Sequence, residues 1–201
     1  MAQRKIKRIA VYCGAAAGSR PEFQQAARDV GAMLARRGIG LVYGAGRVGL
    51  MGILADSALE NGGSVIGVVP RQFIGSVVHK NLTEIFYTNS MAERKRMMAE
   101  LADAHIALAG GFGTLDEISE ALTLLQLGVS NSPCGFLNTA GFYNYLEKFL
   151  AQASAHGVLA PSHLAMALFD KNPEKLLERL AAYKRPREKR YWKNSRLGGK
   201  I

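Results

Sequence analysis

One stretch restricts the possible folds more than any other. His105-Ile106-Ala107-Leu108-Ala109 is a short apolar run of the kind a strand buried on both faces requires. Gly110, Gly111 and Gly113 follow around Phe112, then Thr114 and a segment in which Leu115, Ile118, Ala121, Leu122 and Leu125 recur at helical spacing. A strand that breaks into glycines and resumes as a helix belongs in a covered parallel sheet, with its joint at the strand's carboxyl end. The first amides of such a helix have no partner within it, and the positive end of the helix dipole adds to their pull on an anion. Glycines let the backbone come close. The joint is therefore expected to seat a phosphorylated ligand.

The same grammar repeats along the chain. Residues 8–13, 41–43, 64–69, 83–88, 105–109, 133–137 and 166–169 read as strands. Helices are expected from Pro21 to about Arg37, from Gly49 to the Gly62-Gly63 stop, and over residues 91–102, 142–156 and 173–183, besides the helix after Gly113. Residues 71–80 lack either period and are expected to form a lid or pocket wall. Strands and helices alternating at this spacing predict an α/β fold, a single-domain doubly wound, Rossmann-like parallel sheet with helices on both faces. That domain spans residues 1–183, and residues 184–201 form a basic tail. The loops after residues 13, 43, 69, 88 and 109 should converge on one pocket.

The chain's 201 residues are enough for one full core. No apolar run reaches the roughly 18 residues of a membrane span. The basic N-terminus leads into only a short strand and does not read as a secretory signal. Cys13 and Cys134 lack metal-ligand spacing and read as reduced, buried thiols, so a cytoplasmic protein is expected. The net charge of +10 is segregated: Arg4, Lys5, Lys7 and Arg8 supply four charges, and residues 184–201, with eight basic residues against Glu188, supply seven. The body between is close to neutral and does not read as a nucleic-acid surface. The tail reads as a solvated end, with Tyr191 and Trp192 its only stacking groups.

Gly44-x-Gly46-x-x-Gly49 matches a dinucleotide fingerprint in its letters. The acidic residue that would hold the ribose about 20 positions later is missing, since no Asp or Glu stands between Glu60 and Glu84. The loop is expected to shape a nucleotide pocket rather than bind a redox cofactor. Thr114-Leu115-Asp116-Glu117 fits a capping box, which gives Glu117 a structural reading beside a functional one. Asp116 and Glu117 beside a phosphate require a cation, and Met91-Ala92-Glu93-Arg94-Lys95 supplies two at a helix start, where basic residues oppose the dipole. His79, His105, His156 and His163 show no metal pattern, and neither a metal nor an organic cofactor is expected.

Taken together, these segments are recognisable. Ala109-Gly110-Gly111-Phe112-Gly113-Thr114-Leu115-Asp116-Glu117 resembles the P-G-G-x-G-T-x-x-E motif of the LONELY GUY family. Those proteins are cytokinin riboside 5′-monophosphate phosphoribohydrolases, often mislabelled lysine decarboxylases. Met91 to Lys95 is similar to the family's M-H-x-R-K, and residues 43–52 to its Y-G-G-G-x-x-G-L-M-G. Ala109 stands for the motif's proline, Ala92 for its histidine, and Ala15-Ala16 for serines of the first loop.

The resemblance implies a homodimer that splits adenosine-type nucleoside 5′-monophosphates into free base and ribose 5-phosphate. It puts Arg94 and Glu117 on the catalytic pair. Gly110, Gly111, Phe112, Gly113 and Thr114 fall on the phosphate loop, which Leu115 continues. Lys95, Asp116 and Thr123 match nucleotide contacts, and Gln72 stands where plant members have Glu. A carboxylate near C1′ suits an oxocarbenium-like transition state, and an arginine beside it is expected to keep it ionised. A non-catalytic nucleotide carrier or sensor using the same loop is the alternative.

Overall fold

The first strand, β1 (Arg8–Tyr12), shows why the sheet is covered on both sides. Ile9 and Val11 join one apolar cluster while Ala10 and Tyr12 join another, as the two-residue period of a strand requires. The computed structural model describes residues 4–73, 75 and 77–186, so nearly all of the expected basic tail lies outside the described residues. After β1 come α1 (Pro21–Arg36), β2 (Gly40–Tyr43), α2 (Gly49–Glu60), β3 (Val65–Pro70), β4 (Glu84–Thr88), α3 (Met91–Leu101) and β5 (Ala104–Ala107). Then follow α4 (Phe112–Leu127), β6 (Cys134–Leu137), α5 (Asn144–Ala155), the short α6 (Pro161–Leu164), β7 (Ala167–Asp170) and α7 (Pro173–Ala182).

All the strand pairs are parallel, in the order β4-β3-β2-β1-β5-β6-β7. The chain runs outward from β1 to β4, returns to place β5 beside β1, and runs outward the other way. The switch in strand order lies between β1 and β5, the place where sheets of this kind bind ligands outside the carboxyl ends of their strands. Apolar residues of α1, α2 and α7, including Val30, Leu34, Leu54 and Leu180, cover one face. Met98 of α3 with Ile118, Ala121 and Leu125 of α4 cover the other. The doubly wound expectation holds.

Three local features differ from the sequence reading. The helix α4 begins at Phe112 with Gly111 as its N-cap, three residues ahead of the expected Thr114 cap. The helix expected from Phe142 begins at Asn144, after a 3-10 turn at Thr139–Gly141. Among the described residues of the expected lid or wall, a 3-10 turn at Arg71–Phe73 comes first and Val78 bridges antiparallel to Gly46, with His79 N–H donating to Ala45 O at 2.8 Å, which ties this part down as a wall. His79 Nε2 reaches Asp56 Oδ1 at 2.9 Å, and the Asn81 amide donates to His79 Nδ1 at 3.2 Å. The Nδ1 contact fixes the imidazole proton on Nε2.

Candidate active site

A capping box forms in this region, but on α3 rather than α4. Ser90 Oγ accepts from Glu93 N–H at 3.1 Å, and Glu93 Oε2 accepts from Asn89 N–H at 2.8 Å, so both side chains serve the helix start. The next residue, Arg94, turns inward and keeps only 9 % of its surface exposed. Its Nε donates to the Val68 carbonyl at 3.0 Å and its Nη1 to Glu117 Oε1 at 2.6 Å. A buried guanidinium needs such partners, and here a strand end and a facing helix supply them.

With Gly111 as the cap of α4, Thr114 falls inside the first turn and no side chain caps the helix. The box expected between Thr114 and Glu117 is not formed. Glu117 faces Arg94 instead, with its side chain 10 % exposed. Burial pushes the Glu117 carboxyl above the ordinary carboxylate range, and Arg94 offsets that rise without reversing it. Arg94 favours the ionised form, as expected of a neighbouring arginine, while desolvation is the larger influence on the pKa.

Two glycine loops lie at this edge of the sheet, and they are used differently. In the Gly44-x-Gly46-x-x-Gly49 turn the protein fills the space itself. The Leu50 amide donates to Gly14 O at 3.1 Å, and a Cβ on Gly49, whose φ is +63°, would lie 2.1 Å from Ala15 O. That turn shapes the pocket and offers no anion seat. At the start of α4, by contrast, a Cβ on Gly111 or Gly113 would meet nothing within 4 Å. The amides of Phe112, Gly113 and Thr114 have no intrahelical acceptor. Thr114 is buried against Gly110, where a Cβ would stand 2.1 Å from its Oγ1. The open amides and the helix dipole leave a candidate anion seat at the place the sequence reading puts one.

The cations needed beside that seat are present. Lys95 Nζ pairs with Asp116 Oδ2 at 3.0 Å and with Glu120 Oε2 at 2.5 Å, alongside the Arg94–Glu117 pair. Together the two bridges clasp α3 to α4. Under the clasp runs a narrow crevice lined by Tyr12, Lys95, Ala99, Glu117, Glu120 and Leu124. Tyr12 OH and His105 Nδ1 stand 3.1 Å apart with their rings stacked, and burial lowers the His105 pKa to about 4, so that imidazole is neutral. Tyr12, Glu120 and the Val68 carbonyl are absent from the residues picked out in sequence. The spacing of Glu117, Glu120, Ala121 and Leu124 on one helical face is the signal that reaches Glu120.

Of the remaining expected contacts, Gln72 is exposed on the 3-10 turn directly after β3 and has no hydrogen bond to the pair. Thr123 is exposed on α4, its hydroxyl donating to Ser119 O at 2.8 Å, and is not brought to the pair. Leu115 is partly exposed, and Phe112 is 94 % exposed beside the seat.

A family model described as possible lysine decarboxylase matches residues 51–180. Cytokinin riboside 5′-monophosphate phosphoribohydrolases are among the similar proteins. One from Rhodococcoides fascians is 42% identical, over 84% of this chain and 86% of its own length. One from Arabidopsis thaliana is 38% identical, over 90% of this chain and 79% of its own. Among solved structures, the molybdenum cofactor carrier protein of Chlamydomonas reinhardtii superposes with a TM-score of 0.69 at 21% identity, covering 89% of this chain and 100% of that one. At that identity the likeness establishes the shared fold alone. The family model and these relatives cover the glycine seat, Arg94 and Glu117 alike, and the chain belongs to the LONELY GUY family.

Proposed function

We propose that the protein hydrolyses the N-glycosidic bond of adenosine-type nucleoside 5′-monophosphates, cytokinin riboside 5′-monophosphates and AMP among them, to free base and ribose 5-phosphate. The observation that carries the reading is the buried Arg94–Glu117 pair, 2.6 Å apart, one helical turn from an open anion seat. Curated relatives named for this reaction support it.

In this reading the 5′-phosphate rests on the amides of Gly111 to Thr114 at the positive end of α4. Lys95 and Arg94 offset the charge of Asp116 and Glu117 beside it. Glu117 as carboxylate stabilises the positive charge that develops at C1′ as the bond to the base breaks, and orients the attacking water. The water oxygen ends on C1′, and a proton ends on the departing base. Arg94 holds Glu117 in place and faces the ribose. Gln72 and Thr123 remain proposed contacts, outside the cluster that one chain assembles.

The test is base release from AMP and N6-isopentenyl-AMP, followed by chromatography. Glu117→Gln and Arg94→Ala are each expected to lower turnover by about a thousandfold or more while circular dichroism stays native. Turnover like the wild type in either variant refutes the role assigned to that residue. Nucleotide retained intact by well-folded wild-type protein would favour a carrier or sensor instead.

A further inference from the structure

We infer that Gly44 is a positioning residue for Arg94, the missing Cβ forming a socket that aims the guanidinium. Gly44 closes β2, directly after Tyr43, in a loop whose other glycines pack against their own chain. Its neighbour is different. A Cβ at Gly44 would lie 2.1 Å from Arg94 Nη2 and 3.3 Å from Cζ, with Met51 Sδ at an ordinary 3.5 Å. The φ of Gly44 is not in the left-handed region, so the backbone itself does not demand glycine there. What requires glycine is the side chain lying on it.

Three contacts then fix the guanidinium plane. Nε is held by the Val68 carbonyl at the end of β3, and Nη1 by Glu117 on α4. Nη2 rests on Gly44 at the end of β2 and makes no hydrogen bond among the described residues. A planar fork with two edges bound presents its third in one direction only. Nη2 is therefore the nitrogen with both hydrogens left for a ligand, and the socket decides where it points. An alanine would force the guanidinium to move by about an ångström, enough to misalign both the Glu117 contact and the remaining donor. Because the clashing atom is the end of a flexible side chain, the fold is expected to accommodate the change.

The inference rests on the hydrolase reading for its activity readout and on coupling between two residues for its structural one. With AMP and N6-isopentenyl-AMP, Gly44→Ala is expected to lower kcat by about a hundredfold, with a much smaller change in KM. The acid limb of its pH–rate profile should move to higher pH, because Glu117 loses the partner that lowers its pKa. Adding Gly44→Ala to Arg94→Ala should cost no further activity, since the residue it misplaces is gone. A multiplicative loss in the double variant, or an unchanged single variant, overturns the socket. If Gly44→Ala unfolds alone but folds beside Arg94→Ala, the socket stands; unfolding in both backgrounds overturns it. A wild-type protein that releases no base sinks the hydrolase reading instead, and thermal midpoints across the same four proteins then decide the socket by coupling or its absence.

Discussion

At the scale of single residues, the governing fact is a carboxylate taken out of water. Glu117 has a folded pKa raised by burial from its ordinary 4.5, so its contribution to stability is fullest below that value and is lost as pH rises through the raised one. Arg94 is what makes the ionised form tolerable. Arg94→Ala should therefore destabilise the fold by about 3 kcal/mol at neutral pH, through an uncompensated buried charge. The deficit should shrink as pH falls through the raised Glu117 pKa and the carboxylate takes up a proton; urea unfolding at several pH values measures it, and a deficit independent of pH would contradict this account. In the wild type the acid limb of activity should lie above the range of an exposed glutamate, since the working carboxylate must first lose its proton.

At the scale of elements, the start of α4 separates packing from binding within three neighbouring glycines. Gly110 is needed by the protein, because a methyl group there would overlap Thr114 and crowd the Gly14 amide. Gly111 and Gly113 border open space, and under the proposed function it is the ligand that needs them. Gly113→Ala, inside the helix, should hold or raise stability by up to about 1 kcal/mol. Gly111→Ala should leave the unfolding midpoint near that of the wild type. Both should raise KM for a nucleoside monophosphate by about tenfold, a cost near 1.4 kcal/mol of binding. Gly110→Ala should lower stability by about 1–3 kcal/mol in addition. Unchanged KM in both outer variants would remove the phosphate from this seat. The clasp from Lys95 to Asp116 and Glu120 belongs to the same scale, because it joins α3 to α4 over the crevice.

At the scale of the whole molecule, the order of the sheet brings together side chains far apart in sequence. Arg94 follows β4 at one edge of the sheet and Glu117 follows β5 near its middle, yet the two meet at 2.6 Å. The far end of the molecule holds the basic N-terminal segment, where Arg4 N–H donates to Ala181 O at the end of α7. No helix among the described residues is long and apolar enough to cross a membrane. None of the residues of α5 is buried, and the helix exposes Tyr145 and Phe149 at 83% and 63%. In the homodimer that the family resemblance implies, a second copy of the chain would cover this face. Replacing both aromatics with glutamate should shift the mass measured by light scattering toward one chain; an unchanged mass would put the interface elsewhere.

Much of this was legible in the residues themselves, because strands, helices and their joints follow local rules. The apolar run before Gly110 and the periodic apolar positions after Thr114 specify a buried strand and a covered helix wherever they occur. The open amides of the candidate seat were legible for the same reason: glycines at a strand-to-helix joint leave amides unpaired whatever surrounds them. The roles of Thr114 and Glu117 were not, since a capping box and an inward-facing carboxylate share one spacing. Only the packing of Thr114 on Gly110, and the arrival of Arg94 from a helix 23 positions away, decided between them. Tyr12, the Val68 carbonyl and the socket at Gly44 emerge only when β1, β2 and β3 are laid side by side, because their meaning lies in what stands next to them in space. Local sequence determined which elements form and where their polar groups are left over; the tertiary structure decided which of those groups meet, and burial at that meeting point raised the Glu117 pKa.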